Sequence, residues 1–174
     1  MLETSRLRLR SWQSSDVVAY SKACNTPSVM KWLGGVESWR AVRKDIRYFS
    51  RMEASDGFTF WALELRESQR LIGFCGLLPI TEKDCPFAGA IEIGWRICEG
   101  EWRNGYAFEA ASRVLQFGFD DLGLSGIVSR AASGNVASRG LMKKLGMQRR
   151  RELDYVPRYE PEPLAVYAIG QSSR

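Results

Sequence analysis

The chain has 174 residues, 45% of them hydrophobic and 26% charged, which fits a single domain over residues 1–174 with enough apolar mass to bury a core. No uninterrupted apolar run reaches the roughly 18 residues a membrane span needs, and Met1-Leu2-Glu3-Thr4-Ser5-Arg6 leads straight into an alternating segment with no apolar stretch before it. Neither a membrane nor a secretory route is therefore expected, and the cytoplasm is the expected location.

The net charge of +5 comes from 25 basic and 20 acidic residues, and 19 of the basic ones are arginine. That balance suits an anionic ligand. Nucleic acid is not expected, because no RNP, helix-turn-helix or zinc-finger signature accompanies it. Cys24, Cys75, Cys85 and Cys98 contain no Cys-x-x-Cys pair, so reduced thiols are expected and no disulfide framework. Histidine is absent. Its absence removes Ser-His and Cys-His nucleophiles, two-histidine metal sites and any histidine base, and no metal site is expected.

In chain order, Arg6-Leu7-Arg8-Leu9-Arg10 alternates as a half-buried strand. Ser14-Ser15-Asp16 offers caps for a helix to about Cys24, which Asn25-Thr26-Pro27 should stop. Ser38 caps a second helix with Trp39, Val42, Ile46 and Phe49 at helical spacing. Thr59 to Leu65 and Leu71 to Leu78 form a hairpin around the polar turn at residues 66–70. Pro79 to Gly89 is loop, and Ala90 to Ile97 is a strong strand. From Gly105 the period becomes helical, with Ala107, Ala110, Ala111, Val114, Leu115 and Phe119 on one stripe. Leu124 to Ala132 is again a strand, and Val136 to Leu145 a helix closed by Gly146. Met147 to Tyr155 and Leu164 to Ile169 are the last strands, joined by a Pro-rich loop. The order β-α-α-β-β-β-α-β-α-β-β describes an α/β protein of the α+β type, a mixed, mostly antiparallel sheet of six to seven strands with about four helices.

Chemistry is concentrated where the strand Ile91-Glu92-Ile93-Gly94-Trp95-Arg96-Ile97 passes through a loop into Trp102-Arg103-Asn104-Gly105-Tyr106-Ala107, which opens a helix. The first helical turn has unpaired N–H groups and the positive end of the dipole, so a glycine-bearing entry can cradle a phosphate. An ordinary strand-to-helix turn fits the same residues. The loop is neither a Walker A sequence nor a Gly-x-Gly-x-x-Gly fingerprint.

Three stretches together resemble the GNAT superfamily of acyl-CoA N-acyltransferases: Glu92-Ile93-Gly94-Trp95, the Arg103-Asn104-Gly105-Tyr106-Ala107 turn, and Ser133-Gly134-Asn135-Val136-Ala137-Ser138 followed by Lys144-Leu145-Gly146-Met147. The opening Glu3-Thr4-Ser5-Arg6-Leu7-Arg8-Leu9-Arg10 is similar to the RimJ/RimL-like branch, whose members acetylate ribosomal-protein N-termini. The resemblance spans residues 2–169. It implies a GNAT-like domain with two splayed parallel strands at the acyl-CoA site, and acetyl-CoA as co-substrate. Backbone amides from Arg103 through Asn104, Gly105, Tyr106 and Ala107 to Phe108 would hold the pyrophosphate. The edge formed by Trp95, Arg96 and Ile97 would bind pantetheine, and the Asn135 side chain would touch the same arm. Phe108 replaces a small polar residue, and Trp102 a Gln or Arg. Met142 stands where many relatives have a thiolate-protonating tyrosine. Met cannot donate a proton, so Ser138, one turn earlier on the same face, is the substitute candidate; water is the other source.

Acetyl transfer needs a neutral amine. With histidine absent, a carboxylate is the natural base, and the resemblance puts Glu92 there. Equally, Glu92 could pair with a strand neighbour such as Arg130; Asp154 and Tyr155 are reserve candidates. Trp32 and Trp95 could line the acceptor cleft, whereas Cys98 reads as an ordinary buried thiol. The run Lys143, Lys144, Arg149, Arg150 and Arg151 could face the 3′-phosphate of CoA, nucleic acid or water. The expected activity is N-acetyl transfer to a protein N-terminus or a small amine, by a monomer or homodimer. The alternative is a non-catalytic acyl-CoA-binding or regulatory module.

Overall fold

Alternation builds one edge of the sheet. β1 (Leu2–Glu3) runs antiparallel to β2 (Leu7–Arg10), and Leu2, Leu7 and Leu9 are all buried. The intervening arginines are absorbed by carboxylates. Arg10 Nε lies 2.7 Å from Glu64, and its Nη1 lies 2.7 Å from Asp16. This computed structural model describes residues 1–158 and 163–170.

α1 (Asp16–Cys24) starts without a side-chain cap from Ser15; instead the Asp16 carboxylate accepts the Gln13 N–H at 2.8 Å. Pro27 ends α1 as expected but also opens a further helix, α2 (Pro27–Met30), capped by Thr26. A proline has no N–H to lose and its φ suits a first helical turn. α3 (Trp39–Asp56) is capped by Ser38, whose Oγ accepts from Ala41 N at 3.2 Å, and ends at left-handed Gly57. β3 (Phe60–Leu65), β4 (Leu71–Pro79) and β5 (Ile91–Ile97) follow as an antiparallel meander. Then come α4 (Tyr106–Asp120), β6 (Gly126–Ala132), α5 (Val136–Lys144), β7 (Gln148–Arg149) and β8 (Leu164–Gly170).

Among the described residues eight strands run in the order β1-β2-β3-β4-β5-β6-β8-β7, and β5 and β6 form the parallel pair. The count exceeds the expected six to seven because β1 is too short to show a period. The expected strand from Met147 to Tyr155 is mostly not one. After Arg149 the chain enters a 3-10 turn at Arg151–Leu153, and Asp154 replaces a ladder carbonyl by accepting Val166 N at 3.1 Å. Tyr155 returns as a single bridge to Leu164. Residues 159–162 of the Pro-rich loop lie outside the described residues.

The sheet separates two apolar layers. Under α1 and α3, Phe60 and Phe74 stack at 5.1 Å between ring centroids, and Trp12 meets Tyr20 edge-on at 5.4 Å. On the opposite face Trp61 meets Phe117 of α4 at 5.5 Å. Ala110, Ala111 and Val114 on that helix are fully buried, and each fully buried valine-sized side chain contributes roughly 1.5–3 kcal/mol.

Candidate active site

A cleft of about 350 Å³ opens where β5 leaves β6. The two strands share one register pair, Glu92 with Val128. Just beyond it, Ser129 Oγ donates to Ile93 O at 2.9 Å, a side-chain stitch in place of the next ladder bond. Past Ile93 the strands part, and Trp95 and Arg96 of β5 line the gap opposite Ala131 and Ala132 of β6. Gly94 lets Phe60 approach the strand closely: a Cβ on it would lie 2.6 Å from Phe60 Cζ and the ring would have to shift.

The C-terminal end of β5 leads into the phosphate-loop candidate, which is fastened along its length. The Trp102 indole N–H donates to Ile97 O at 2.8 Å, and Asn104 Nδ2 donates to Glu101 at 3.2 Å. Glu101 is itself ion-paired with Arg70. Arg103 and Gly105 both hold left-handed φ, 64° and 82°. For a non-glycine residue that conformation costs roughly 1–2 kcal/mol and persists only where neighbours over-determine it. α2, α3 and α5 each carry a side-chain N-cap, whereas α4 has none at Gly105. The first N–H groups of α4, at Tyr106, Ala107 and Phe108, are thus left for an anion.

Glu92 and Arg130 face each other across the parting strands, with Nε–Oε1 at 3.1 Å and Nη2–Oε2 at 3.2 Å. The pairing that the sequence admitted as the alternative to a base is present. Arg130 also donates to Glu82 at 2.6 Å and to the Tyr155 hydroxyl. Burial pushes the Glu92 carboxyl above its ordinary range, and Arg130 only partly offsets this. Burial likewise raises the Tyr155 phenol against the pull of Arg130. Asp154 is committed elsewhere, to Arg149 and to Val166 N.

On α5, Asn135, Ser138 and Met142 all line the cleft, so the face expected from their spacing exists. Asn135 Oδ1 accepts from Ser138 N at 3.1 Å as the N-cap; the amide nitrogen is what remains for a ligand. An asparagine directly before an apolar helical stripe is a cap signal that the sequence reading did not use. Met142 is buried, 1% exposed. Trp32 comes from the loop after α2 and rests on Gly134, where a Cβ would lie 2.5 Å from its ring.

Arg96 lines the cleft, but its Nη1 donates to Tyr20 at 2.8 Å and its guanidinium lies 5.2 Å from the Phe74 ring centroid. Cys98 is buried beside Cys24 and outside the cleft lining. Of the basic run, Arg149 pairs with Asp154 and Arg150 with Glu152. Lys144 Nζ stands 4.5 Å from the ring centroid of Phe108, in the first turn of α4.

The sequence and the overall fold have counterparts among known proteins. The acetyltransferase (GNAT) domain model matches residues 6–148. The uncharacterized N-acetyltransferase YoaA of Bacillus subtilis is 32% identical over 151 residues, 86% of this chain and 83% of that protein. Among solved structures, an acetyltransferase from Agrobacterium tumefaciens superposes with a TM-score of 0.80 at 26% identity, covering 98% of this chain and 94% of that one. The RimL ribosomal alpha-N-protein acetyltransferase, solved with coenzyme A, shares the fold with a TM-score of 0.75 at 15% identity, covering 96% and 95% of the two chains.

Proposed function

The chain belongs to the GNAT acetyltransferase family, and from that premise we propose that it is an acetyl-CoA-dependent N-acetyltransferase that acts on a primary amine by direct attack in a ternary complex. One observation carries this reading: β5 parts from β6 after Glu92, and its C-terminal end leads through the 97–105 loop into the uncapped amino end of α4. When bound, acetyl-CoA supplies an activated acetyl thioester.

The residues divide the work by position. Amides of residues 103–108, two of them in left-handed turns, receive the pyrophosphate. Lys144 adds a cation at the edge of that loop. The backbone edge of Trp95, Arg96 and Ile97 pairs with the pantetheine amides like an added strand, and the free amide nitrogen of Asn135 donates to the same arm. The Ile97 carbonyl already accepts from Trp102, so Trp95 and Arg96 carry most of that pairing. Glu92, through a water, takes the proton of the incoming ammonium. The neutral amine then bonds to the acetyl carbon; as the carbon–sulfur bond breaks, Ser138 gives a proton to the departing sulfur and regains, through water, the proton that the new amide nitrogen sheds.

The acceptor enters between Trp32 and Tyr155, both on the cleft wall. It is a protein N-terminus or a small amine; an α-amino group, with a pKa near ~7.7–8.0, asks less of a base than a lysine at ~10.4. The free, buried cysteines fit a reducing cytoplasm.

The test is CoA release from acetyl-CoA with a panel of amines and N-terminal peptides, alongside the thermal shift that acetyl-CoA produces. Turnover with at least one amine is expected. A thermal shift without turnover on any amine would leave a non-catalytic CoA-binding module, and no shift at millimolar acetyl-CoA would remove the cofactor reading.

A further inference from the structure

The opening segment Thr4-Ser5-Arg6 has no part in the chemistry described so far, yet it converges on the phosphate loop from about a hundred residues away in sequence. Its partner is Glu109, in the first turn of α4. Glu109 Oε1 accepts from Thr4 Oγ1 at 2.5 Å, from Arg6 N at 3.0 Å and from Ser5 Oγ at 3.2 Å. Glu109 Oε2 takes Arg6 Nε at 2.7 Å and Arg6 Nη2 at 2.6 Å. The other arm of the guanidinium, Nη1, donates to Asn104 O at 3.0 Å.

Arg6 therefore grips the loop at successive points. Asn104, whose carbonyl it holds, lies between the two left-handed residues Arg103 and Gly105. At Gly105, Arg6 Nη2 would lie 3.4 Å from any added Cβ. At Tyr106 the guanidinium sits 4.6 Å from the ring centroid. We propose that Arg6, fixed by Glu109, which Thr4 in turn holds, is a positioning residue that holds residues 103–106 in the left-handed turn whose amides receive the pyrophosphate of the acyl donor. This rests on the cofactor reading above.

The electrostatics favour a built device over a chance surface pair. A cation is unwelcome at the positive end of a helix, and Glu109 neutralises it. Burial would raise the Glu109 carboxyl, but hydrogen bonds from Thr4 and Arg6 outweigh burial and hold it below its ordinary range. An exposed two-residue ion pair contributes little, whereas here one carboxylate collects five donors from three successive residues. Arg8, two residues further along the same strand, shows the contrast. It pairs with Glu3 and Glu64, and none of its side-chain hydrogen bonds among the described residues goes to the 102–106 loop.

The experiment is calorimetric titration of CoA into wild type, Arg6→Ala, Arg6→Lys, Thr4→Val and Arg8→Ala, with steady-state kinetics on the amine that turns over best. Arg6→Ala should weaken CoA binding about tenfold, roughly the loss of one charge-assisted contact network. KM for acetyl-CoA should rise by the same factor, with kcat at saturation and KM for the amine unchanged. Arg6→Lys keeps the charge without the fork and should fall between wild type and Arg6→Ala. Thr4→Val should show a smaller loss of the same kind. Arg8→Ala reports general loosening of β2, and its CoA affinity should match wild type even where its melting temperature falls. Equal CoA affinity in wild type and Arg6→Ala overturns the proposal while leaving the cofactor reading intact. So does an Arg8→Ala loss as large as that of Arg6→Ala. Wild-type protein that binds no CoA takes down the cofactor reading, and this proposal with it. If Arg6→Ala does not fold, Arg6→Lys and Thr4→Val carry the same comparison.

Discussion

Glu92 and Arg130 are joined side-on by two contacts, 3.1 and 3.2 Å, at the point where their strands separate. The arrangement keeps a carboxylate inside a cleft wall without neutralising it fully. Burial still raises its pKa. A carboxyl of that kind is protonated at acid pH and can act as the proposed base only once the pH climbs through its raised value.

The pH dependence of Glu92→Gln follows from that sign. Below the pKa of Glu92, wild type and variant both carry a neutral side chain, and their rates should converge. Above it, wild type should be faster, by up to about 10²–10⁴-fold for full general-base catalysis. The gap should narrow again once the acceptor loses its own proton, above about pH 8 for an α-amine. Profiles of kcat/KM from about pH 5 to about pH 10 measure this. A pH-independent ratio would assign Glu92 a purely structural part.

Arg130→Met tests the other half of the pair. It leaves Glu92 buried without its cation and frees Glu82 and the Tyr155 hydroxyl. Breaking a buried pair from one side typically costs about 3–5 kcal/mol, so a clear drop in melting temperature is expected. The acid limb of kcat/KM should move to higher pH, because the guanidinium that lowers the Glu92 pKa has gone while burial still raises it. A limb that moves to lower pH would contradict the assignment of that limb to Glu92.

Gly105 separates backbone from charge. With φ at 82° and Arg6 3.4 Å from a built Cβ, Gly105→Ala should lose roughly 1–2 kcal/mol of stability from the left-handed residue alone. Its CoA affinity should fall modestly. Gly105→Asp adds a negative charge at the anion site and should abolish the thermal shift with acetyl-CoA. Comparing melting curves of both variants with and without cofactor distinguishes the two effects.

Local signals made much of this site legible in the sequence. Gly105, Ser38 and the Asn135-to-Met142 stripe report their own backbone or their own helix face, and Glu92 opposite Arg130 follows from two adjacent strands. Contacts that depend on distant chain segments were not legible. Nothing near Glu109 in sequence announces Thr4 and Arg6, and nothing in Arg96 announces that its guanidinium will turn to Tyr20. The missed elements fail for a different reason. Leu2–Glu3 and Pro27–Met30 are too short to show a repeating pattern, and Asp154 cuts short the strand expected from Met147 to Tyr155 by putting a carboxylate where a carbonyl was expected.

The proton for the departing thiolate is assigned to Ser138, and the geometry makes that assignment exposed to test. Asn135, Ser138 and Met142 lie three and four residues apart on α5 and line one cleft. Met142, 1% exposed, fills the position with a side chain that cannot donate. Ser138 is half-buried, and Asn135 fixes its backbone N–H at 3.1 Å; the hydroxyl is the donor it offers the cleft. Ser138→Ala should lower kcat by about 10²-fold, the lower end for general-acid catalysis, with acetyl-CoA affinity nearly intact. Met142→Tyr in that background should restore part of the rate by supplying a phenol on the same face. The double variant also controls for volume: a tyrosine that only overpacks the core would lower the melting temperature and rescue nothing. A fully active Ser138→Ala enzyme would leave water as the source of the proton.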